Sequence, residues 1–266
     1  MKHLFLAALD FLIPRTCIVC GRELGLKEEH LCLYCQADLP LTRNWEMPHN
    51  PMADQFNAVV EKLRPAPELD STLELDSTLE LHPVLESSRE PLEPYAFAAS
   101  LLYYRGDSPY SRIPQALKYG GNIPAGRYFS ALLGSMMAEQ PHWKNVDIVI
   151  PVPLHWKRKR SRGYNQAEVI AAELASQLGA SLRTDILKRS RRTRSQTSLS
   201  AEERIKNVHG VFSVSTRKNI PHVHHVLLVD DTFTTGATLA ACHRVLRNAL
   251  GPDVLISIAT LAMVSS

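Results

Sequence analysis

One short stretch constrains the fold more than any other, the sequence VLLVDDTFTTGAT at residues 226–238. Its four leading apolar residues predict a buried strand, and its threonine- and glycine-rich end predicts a loop that opens a helix. Asp230 and Asp231 stand where the strand ends. Because parallel sheets bind ligands beyond the carboxyl ends of their strands, the stretch predicts a ligand site at that edge.

The surrounding region alternates between strand and helix patterns, which indicates an α/β fold with a parallel sheet flanked by helices. We expect strands over 95–104, 146–153, 225–230 and 254–262, and helices over 113–119, 127–139, 165–178 and 237–250. Cys242 falls within the last helix. It is expected to behave there as a small buried apolar residue.

Two closely spaced cysteine pairs precede this region. Cys17 with Cys20, and Cys32 with Cys35, form a Cx2C-x11-Cx2C pattern. Each pair can supply two thiolates from one turn, and four thiolates close a tetrahedron around a structural zinc ion. Two disulfides are the alternative, but we expect a cytoplasmic protein, and a reducing cytosol disfavours them. The pattern therefore predicts a small amino-terminal zinc ribbon.

The chain divides on these patterns into a zinc-ribbon module at 1–48, a linker at 49–94 and an α/β domain at 95–266. The linker is acidic, contains several prolines and carries a tandem LDSTLE repeat at 69–80. Such composition is typical of a spacer. The apolar residues 1–12 suit a short amphipathic helix docked on the protein, with membrane contact as the alternative, and no transmembrane segment is expected.

The chemistry of the loop favours a phosphorylated sugar as the ligand. Gly236 permits a positive φ, and the amides that follow it lie at the positive end of a helix, as in a monophosphate cradle. Hydroxyl groups of Thr234, Thr235 and Thr238 add donors. Carboxylates would repel the phosphate, but they accept hydrogen bonds from vicinal ribose hydroxyls. Ribose 5-phosphate with Mg²⁺ therefore fits as a unit.

The stretch has three other interpretations. A nucleoside-triphosphate or dinucleotide site would need the GK[ST] or GxGxxG signature, which the stretch lacks. A phosphoacceptor receiver domain needs an acceptor aspartate and a lysine downstream, and only 35 residues follow Asp231. A purely structural role of Thr or Asp as helix caps is the third alternative.

Positive charge is concentrated between residues 157 and 194, where eleven Lys or Arg accompany three acids. Closely spaced Arg158, Arg160 and Arg162 suit pyrophosphate or nucleic-acid phosphate, and a solvated basic loop is the alternative. Trp156 and Tyr164 interleave with these charges, as single-stranded DNA binding by stacking would require. The polar segment 188–212 predicts a mobile loop that closes over bound phosphates.

Three neighbouring histidines, His222, His224 and His225, form a pattern that resembles a metal cluster. His224 and His225 stand where the predicted strand over 225–230 begins, and successive side chains of a strand point to opposite faces. His224 and His225 would therefore diverge, so we do not expect a metal site there.

VLLVDDTFTTGAT resembles the phosphoribosyl-pyrophosphate (PRPP) motif of type I phosphoribosyltransferases, with Thr232 where those enzymes usually carry an aliphatic residue. PVPLHWKRKRSRGYNQAE (151–168), RTRSQTSLSAEERIKNVHGVF (192–212), ALKYGGN (116–122) and the four cysteines resemble the ComF/GntX family. The resemblance implies a type I phosphoribosyltransferase-like fold, with a parallel sheet flanked by helices and an amino-terminal zinc ribbon. It covers roughly residues 1–45 and 95–262 and leaves out the spacer.

The resemblance also implies roles for individual residues. Asp230 and Asp231 would bind the ribose hydroxyls. The 5-phosphate would be bound by Thr232, Thr234, Thr235, Gly236, Ala237 and Thr238. Arg158, Arg160, Arg162 and Lys118 are candidates for binding pyrophosphate or nucleic-acid phosphate. Further residues belong to the family's motif segments, namely Tyr164, Asn165, Gln166, Gln196, Arg204 and Asn207.

Two functions remain open at this stage. The ComF resemblance implies handling of single-stranded DNA with the competence machinery, where the pocket would bind PRPP or a strand's 5-phosphate without turnover. The alternative is an active phosphoribosyltransferase that uses PRPP, Mg²⁺ and an unknown nitrogen acceptor. Such chemistry depends on positioning and charge neutralisation, so the absence of a protein nucleophile does not argue against it.

Overall fold

The computed structural model describes residues 14–63, 93–119, 121–189, 210–215 and 222–264. The helix predicted at 1–12, the LDSTLE repeat and the candidate residues Gln196, Arg204 and Asn207 lie outside the described residues. Within the described part of the chain, no helix is long and apolar enough to cross a membrane.

Parallel strands form the central sheet, as the alternating pattern predicts. Its strands are β1 (Ala98–Tyr104), β2 (Ile148–Pro151), β3 (Ser181–Leu182), β6 (His225–Phe233) and β7 (Leu255–Val264). They lie in the order β1-β7-β6-β2-β3, and every neighbouring pair is parallel. A separate antiparallel pair consists of β4 (Leu187–Arg189) and β5 (Phe212–Val214).

Helices and short 3₁₀ turns connect the strands. The α-helices are α1 (Leu33–Ala37), α2 (Pro51–Lys62), α3 (Arg112–Lys118), α4 (Ile123–Ala138), α5 (Trp156–Arg162), α6 (Gln166–Leu178) and α7 (Ala237–Leu250). Helix α7 has the predicted bounds because a left-handed glycine, Gly236, precedes it and Gly251 follows it, with φ of 73° and 94°.

The core lies on both faces of the sheet, because successive side chains of β6 alternate between them. Val226 and Leu228 belong to a cluster with residues of α2 and α7. Leu227 and Val229 belong to a second cluster with residues of α4 and α6. Cys242 is fully buried in the first cluster, which confirms its predicted role as a small apolar core residue.

Helix α2 lies where the sequence predicts linker. Its first residue follows Asn50, whose side chain accepts a hydrogen bond from the backbone N–H of Ala53. Met52 and Phe56 have no exposed surface. Residues 51–62 therefore form part of the core, and the predicted linker is too long at its amino-terminal end. Proline content misled the prediction, because Pro51 occupies a first-turn position that tolerates proline.

Three further differences concern polar segments. Strand β6 continues through both aspartates to Phe233, because Asp230 and Thr232 pair in register with Thr260 and Ala262 of β7. The basic run at 156–162 forms helix α5 rather than a loop. The two ends of the predicted mobile loop pair as β4 and β5, while residues 190–209 between them lie outside the described residues.

The cysteine module packs against the sheet domain and shares its second core cluster. Leu41 forms a β-bridge with Leu102 of β1. The indole Nε1–H of Trp143 donates a hydrogen bond to the carbonyl of Trp45, at 3.0 Å. These contacts bring the module into direct contact with the elements that lead to the carboxyl edge of the sheet.

Candidate functional site

A cleft of about 380 Å³ opens at the carboxyl ends of the strands. Residues at or just beyond the ends of β1, β2, β6 and β7 line it, together with residues of α3, α5, α6 and α7 and residue Arg189. The cleft therefore occupies the edge at which the strand–loop–helix pattern predicts a ligand site. Its lining includes the predicted residues Lys118, Arg158, Arg162, Asn165, Gln166, Asp230, Asp231, Thr232, Thr234, Thr235, Gly236, Ala237 and Thr238.

Asp230 and Asp231 are half-buried at the end of β6. The backbone N–H of Asp231 donates to Oδ1 of Asp230 at 2.8 Å, and Lys118 Nζ lies 3.3 Å from Oδ2 of Asp231. Burial and the neighbouring charge of Asp231 raise the pKa of Asp230. Burial alone would lower the pKa of Lys118, but the charges of Asp231 and Asp230 raise it overall.

The turn at Gly236 has the geometry of an anion-binding helix start. Gly236 has a φ of 73° and precedes the first residue of the 14-residue helix α7. A Cβ at this position would lie 3.0 Å from Cε2 of Phe233, so both the backbone angle and the space favour glycine. Thr234, Thr235 and Thr238 line the cleft around the turn. Since the first amides of a helix have no partner within the helix, they can bind an anion together with these hydroxyl groups.

Four basic side chains line the cleft with the two aspartates, namely Lys118, Arg158, Arg162 and Arg189. Arg158 and Arg162 come from α5, which follows the neighbouring strand β2. Arg189 comes from β4, and its guanidinium lies 5.3 Å from the ring centre of Phe212. Burial and the charge of Arg158 lower the pKa of Arg189. Arg160 is exposed on α5 and is absent from the residues that line the cleft.

The residues of the RGYNQ segment have different positions. Asn165 is buried, donates to the carbonyl of Val152 at 3.0 Å and accepts from the N–H of Ala167, so it ties α6 to the end of β2. Tyr164 donates its hydroxyl hydrogen to the carbonyl of Leu117, so its hydroxyl anchors α3. Gln166 lines the cleft and accepts from Arg162 at 3.2 Å.

Among the cleft residues that the sequence prediction missed, three have polar or charged side chains, namely Tyr104, Tyr119 and Arg189. Tyr119 is strongly exposed, and the guanidinium of Arg162 lies 5.4 Å from its ring centre. Tyr119 stands within the ALKYGGN motif, so the motif itself was an available signal. Arg189 was assigned to a mobile loop, and only the pairing of β4 with β5 brings it to the cleft.

The four cysteines converge at the second candidate site. Their Sγ atoms all lie within 4.8 Å of one another, and those of Cys20 and Cys32 are 3.7 Å apart. Four thiolates at zinc–sulfur distances of about 2.3 Å would be separated by about 3.8 Å, so the arrangement fits a tetrahedral ion. The cysteines are free thiols, which disagrees with the disulfide alternative. The cluster could therefore hold a metal ion.

Backbone geometry supports this cluster. The N–H of Gly21 donates to the carbonyl of Cys17 at 2.8 Å, and Gly21 has a φ of 75°. Burial raises the pKa of the Cys17 thiol, but hydrogen bonds from the backbone of Cys20, Cys32 and Val19 outweigh it and lower that pKa to about 6. The thiolate form that a metal ligand requires is thus favoured at Cys17.

The histidine segment separates as expected for a strand. His225 is buried at the start of β6, whereas His222 and His224 are exposed, with ring centres 4.9 Å apart. Among the described residues, the cysteine cluster is the one group of three or more metal-ligating side chains that converges.

Comparisons with known proteins agree with the fold. The model of the phosphoribosyl transferase domain matches residues 165–265, from α6 to the end of β7. Competence protein F of Haemophilus influenzae is 35% identical over 142 residues, which cover 52% of this chain and 62% of that protein. The DNA utilization protein YhgH of Salmonella typhi is 36% identical over 95 residues, 35% of this chain and 40% of that protein.

Fold and cleft together define a phosphoribosyltransferase-type domain with a small four-cysteine module at its amino-terminal side. The chain is similar over part of its length to a competence protein and to a DNA utilization protein, which agrees with the resemblance of its motifs to the ComF family. The matched region spans only part of each relative, 62% of the first and 40% of the second.

Proposed function

We propose that the cleft binds PRPP or ribose 5-phosphate together with Mg²⁺. The observation that carries this proposal is the adjacency of two half-buried carboxylates and a glycine-opened helix start at the end of β6. A simple anion site would not retain two carboxylates beside its phosphate cradle. A ribose phosphate needs both, since its hydroxyls donate hydrogen bonds and its phosphate accepts them.

Each wall of the cleft has a role in this proposal. Asp230 and Asp231 bind the ribose hydroxyls, while the segment Thr232–Thr238 binds the 5-phosphate. The pyrophosphate of PRPP lies among Arg158, Arg162, Arg189 and Lys118. Mg²⁺ is held mainly by ligand oxygens and neutralises part of their charge, as is usual for this ion.

We also propose that the cysteine cluster holds zinc. Four thiolates leave no open coordination position, so the ion is structural. The protein then acts in a reducing cytoplasm, where free thiols persist.

A role in handling single-stranded DNA during competence is the biological part of the proposal. It draws on the competence and DNA-utilization relatives and on helix α5, whose residues are exposed or half-buried. Trp156 is strongly exposed, with Lys157 Nζ 5.3 Å from its ring centre. Exposed aromatic and basic side chains on one short helix suit base stacking beside backbone phosphate. Components of the competence machinery are the expected partners.

Calorimetry with zinc-loaded protein tests the ligand assignment. PRPP and ribose 5-phosphate should bind in the presence of Mg²⁺, and PRPP should bind more tightly because pyrophosphate adds contacts with the arginines. Ribose lacking the phosphate is the matched control and should bind weakly. Heat changes no greater for PRPP than for ribose would exclude the assignment.

Paired variants separate DNA binding from ligand binding. Lys157→Ala/Arg160→Ala changes the exposed surface of α5, whereas Arg158→Ala/Arg162→Ala changes residues that line the cleft. The first pair should weaken single-stranded DNA binding and flatten its salt dependence while PRPP affinity stays constant. Equal DNA affinity in wild type and the first variant would rule out α5 as the DNA surface.

An active phosphoribosyltransferase is the second candidate, favoured by the four basic side chains that line the same cleft as the aspartates. In that reaction the bond between ribose C1 and pyrophosphate breaks, a C1–N bond forms, and the acceptor nitrogen releases its proton to solvent. Pyrophosphate release from PRPP should be measured across a panel of amines and bases. Release with any acceptor favours the enzyme, and tight binding with no release favours the DNA-handling role.

A further inference from the structure

Helix α3 connects the cysteine cluster with the ligand cleft. Its first residue is Arg112 and its last is Lys118, so it spans seven residues. The amino end contacts the cysteine module, and the carboxyl end places Lys118 against Asp231. A short element that contacts both sites can transmit a change at one of them to the other.

At its amino end, α3 is held by both cysteine pairs. Arg112 Nη1 donates a hydrogen bond to the carbonyl of Val19, which lies between Cys17 and Cys20, at 2.8 Å. Tyr110 lies two residues earlier, and its hydroxyl donates to Oδ2 of Asp38 at 2.9 Å. The same hydroxyl lies 3.4 Å from the carbonyl oxygen of Cys35. Val19 lies in the turn of the first cysteine pair, while Cys35 lies in α1 and Asp38 directly follows it, so these acceptors belong to the two segments that an ion in the cluster would fix.

At its carboxyl end, α3 is held against α4 and the start of α6. Leu117 packs so closely on Gly126 that a Cβ there would lie 2.5 Å from its Cδ1. Its carbonyl accepts from Tyr164. The next residue, Lys118, lies 3.3 Å from Oδ2 of Asp231. The position of α3 therefore determines where the ammonium group lies beside a carboxylate of the cleft.

We propose that the metal-loaded cysteine cluster raises the affinity of the cleft for its phosphorylated sugar, with Arg112 and Tyr110 as positioning residues. The metal fixes the turn at Cys17–Cys20 and helix α1, these two segments hold α3, and α3 holds Lys118 beside Asp231. This inference rests on the proposed function of the cleft. By thermodynamic reciprocity, the bound ligand raises the affinity of the cluster for its metal by the same factor.

The first test uses metal-loaded variants and PRPP as the probe. Arg112→Ala and Tyr110→Phe should each lower PRPP affinity about fivefold, within the usual range of coupling between sites, with unchanged zinc content. Arg112→Lys keeps a donor and should recover part of the loss. Arg105→Ala, which removes an exposed arginine paired with Asp107 at 3.2 Å, is the matched control and should have no effect.

The second test is a thermodynamic cycle in which PRPP affinity is measured with and without the metal, in wild type and in Lys118→Ala. Chelation should weaken PRPP binding by wild type about tenfold but should change binding by the Lys118→Ala variant much less, since the coupled group is gone. Equal effects of chelation on both proteins would overturn the proposal. Apparent zinc affinity in the presence of saturating PRPP should rise by the same factor in wild type only.

The third test requires no ligand. Hydrogen exchange of the amides of residues 112–119 should accelerate after chelation and in Arg112→Ala, while exchange in β6 stays constant. If wild type does not bind PRPP at all, the proposed function fails, and this measurement alone decides whether the cluster braces α3. Unchanged amide exchange in the chelated protein and in Arg112→Ala would overturn the proposal that the cluster holds α3 in place.

Discussion

The two ends of strand β6 carry polar groups in contrasting surroundings. At the amino end, the ring of His225 lies 2.9 Å from Ser257 Oγ, and the Asp147 carboxylate accepts backbone hydrogen bonds from His224 and His225. At the carboxyl end, Asp230 and Asp231 share a cleft with four basic side chains. The polar groups at the amino end have hydrogen-bond partners within the protein, as is usual for groups with a structural role. Those at the second end concentrate charge around a space that a ligand can enter.

The largest expected effect concerns acid stability and belongs to the amino end. Burial lowers the pKa of His225 to about 4, below the value of an exposed histidine. The unfolded chain takes up a proton on His225 at higher pH than the folded chain does. The contribution of the neutral His225 ring to the free energy of unfolding is therefore complete above about pH 6.5. It should fall by about 3 kcal/mol as the pH drops to 4.

Chemical denaturation of wild type and His225→Gln between pH 7 and pH 4 measures this loss. The variant should show a shallower decline, whereas His222→Gln, a change of an exposed histidine, should follow wild type. Direct NMR titration of the His225 ring gives its pKa even if the variant folds poorly. A ring that titrates near pH 6.5 would remove the contrast between the two ends.

The next effect concerns ligand binding at the carboxyl end. Asp230→Asn/Asp231→Asn should lower PRPP affinity about 100-fold, because two charge-assisted hydrogen bonds to ribose are weakened. Burial and Asp231 raise the pKa of Asp230, so its ionised form destabilises the fold at neutral pH. Loss of the ion pair between Lys118 and Asp231 acts in the opposite direction, so the free energy of unfolding of the variant should stay close to that of wild type. A double variant that is less stable than wild type but binds PRPP as tightly would contradict the assignment of the carboxyl end to ligand binding.

A smaller effect is expected at Gly236. The change Gly236→Ala places a Cβ at a φ of 73° and 3.0 Å from Phe233, which should cost about 1–2 kcal/mol of unfolding free energy. PRPP affinity should fall as well, since the amides that follow shift. Gly179→Ala has a similar φ of 66° with open space around it, so it isolates the backbone contribution. Equal stability loss in both variants, with full affinity, would argue against a phosphate cradle.

The smallest effect is expected for Asp147→Ala. It removes the acceptor of two backbone hydrogen bonds, at 2.7 and 2.9 Å, from an exposed position, so it should cost about 1 kcal/mol. PRPP affinity should not change. Reduced affinity would mean that the two ends of β6 are coupled.

Sequence patterns predicted the helices and strands whose boundaries are marked by special residues. Helix α7 is bounded by Gly236 and Gly251, and its predicted ends match the structure. Strand β6 was predicted to end at the aspartates, since acids are unfavourable in strands. Its continuation depends on pairing with Thr260 and Ala262, which a single segment does not reveal.

Other features depend on contacts between segments distant in the chain. Apart from Trp156, helix α5 consists of polar residues, so it lacks the apolar periodicity by which helices are recognised. The position of Arg189 depends on the pairing of β4 with β5, across residues 190–209. In contrast, the placement of Asp230 and Gly236 in one cleft follows from their spacing along a single strand and turn.

The hydrogen bond from Trp143 to the carbonyl of Trp45 has a consequence for the history of such chains. The cysteine module and the sheet domain share one hydrophobic core, so replacing either part with an unrelated segment would disrupt the packing of the other. Recombination that joined this module to a different domain would leave apolar side chains exposed on both. We therefore expect the two parts to be inherited together and to change in a correlated way across their contact.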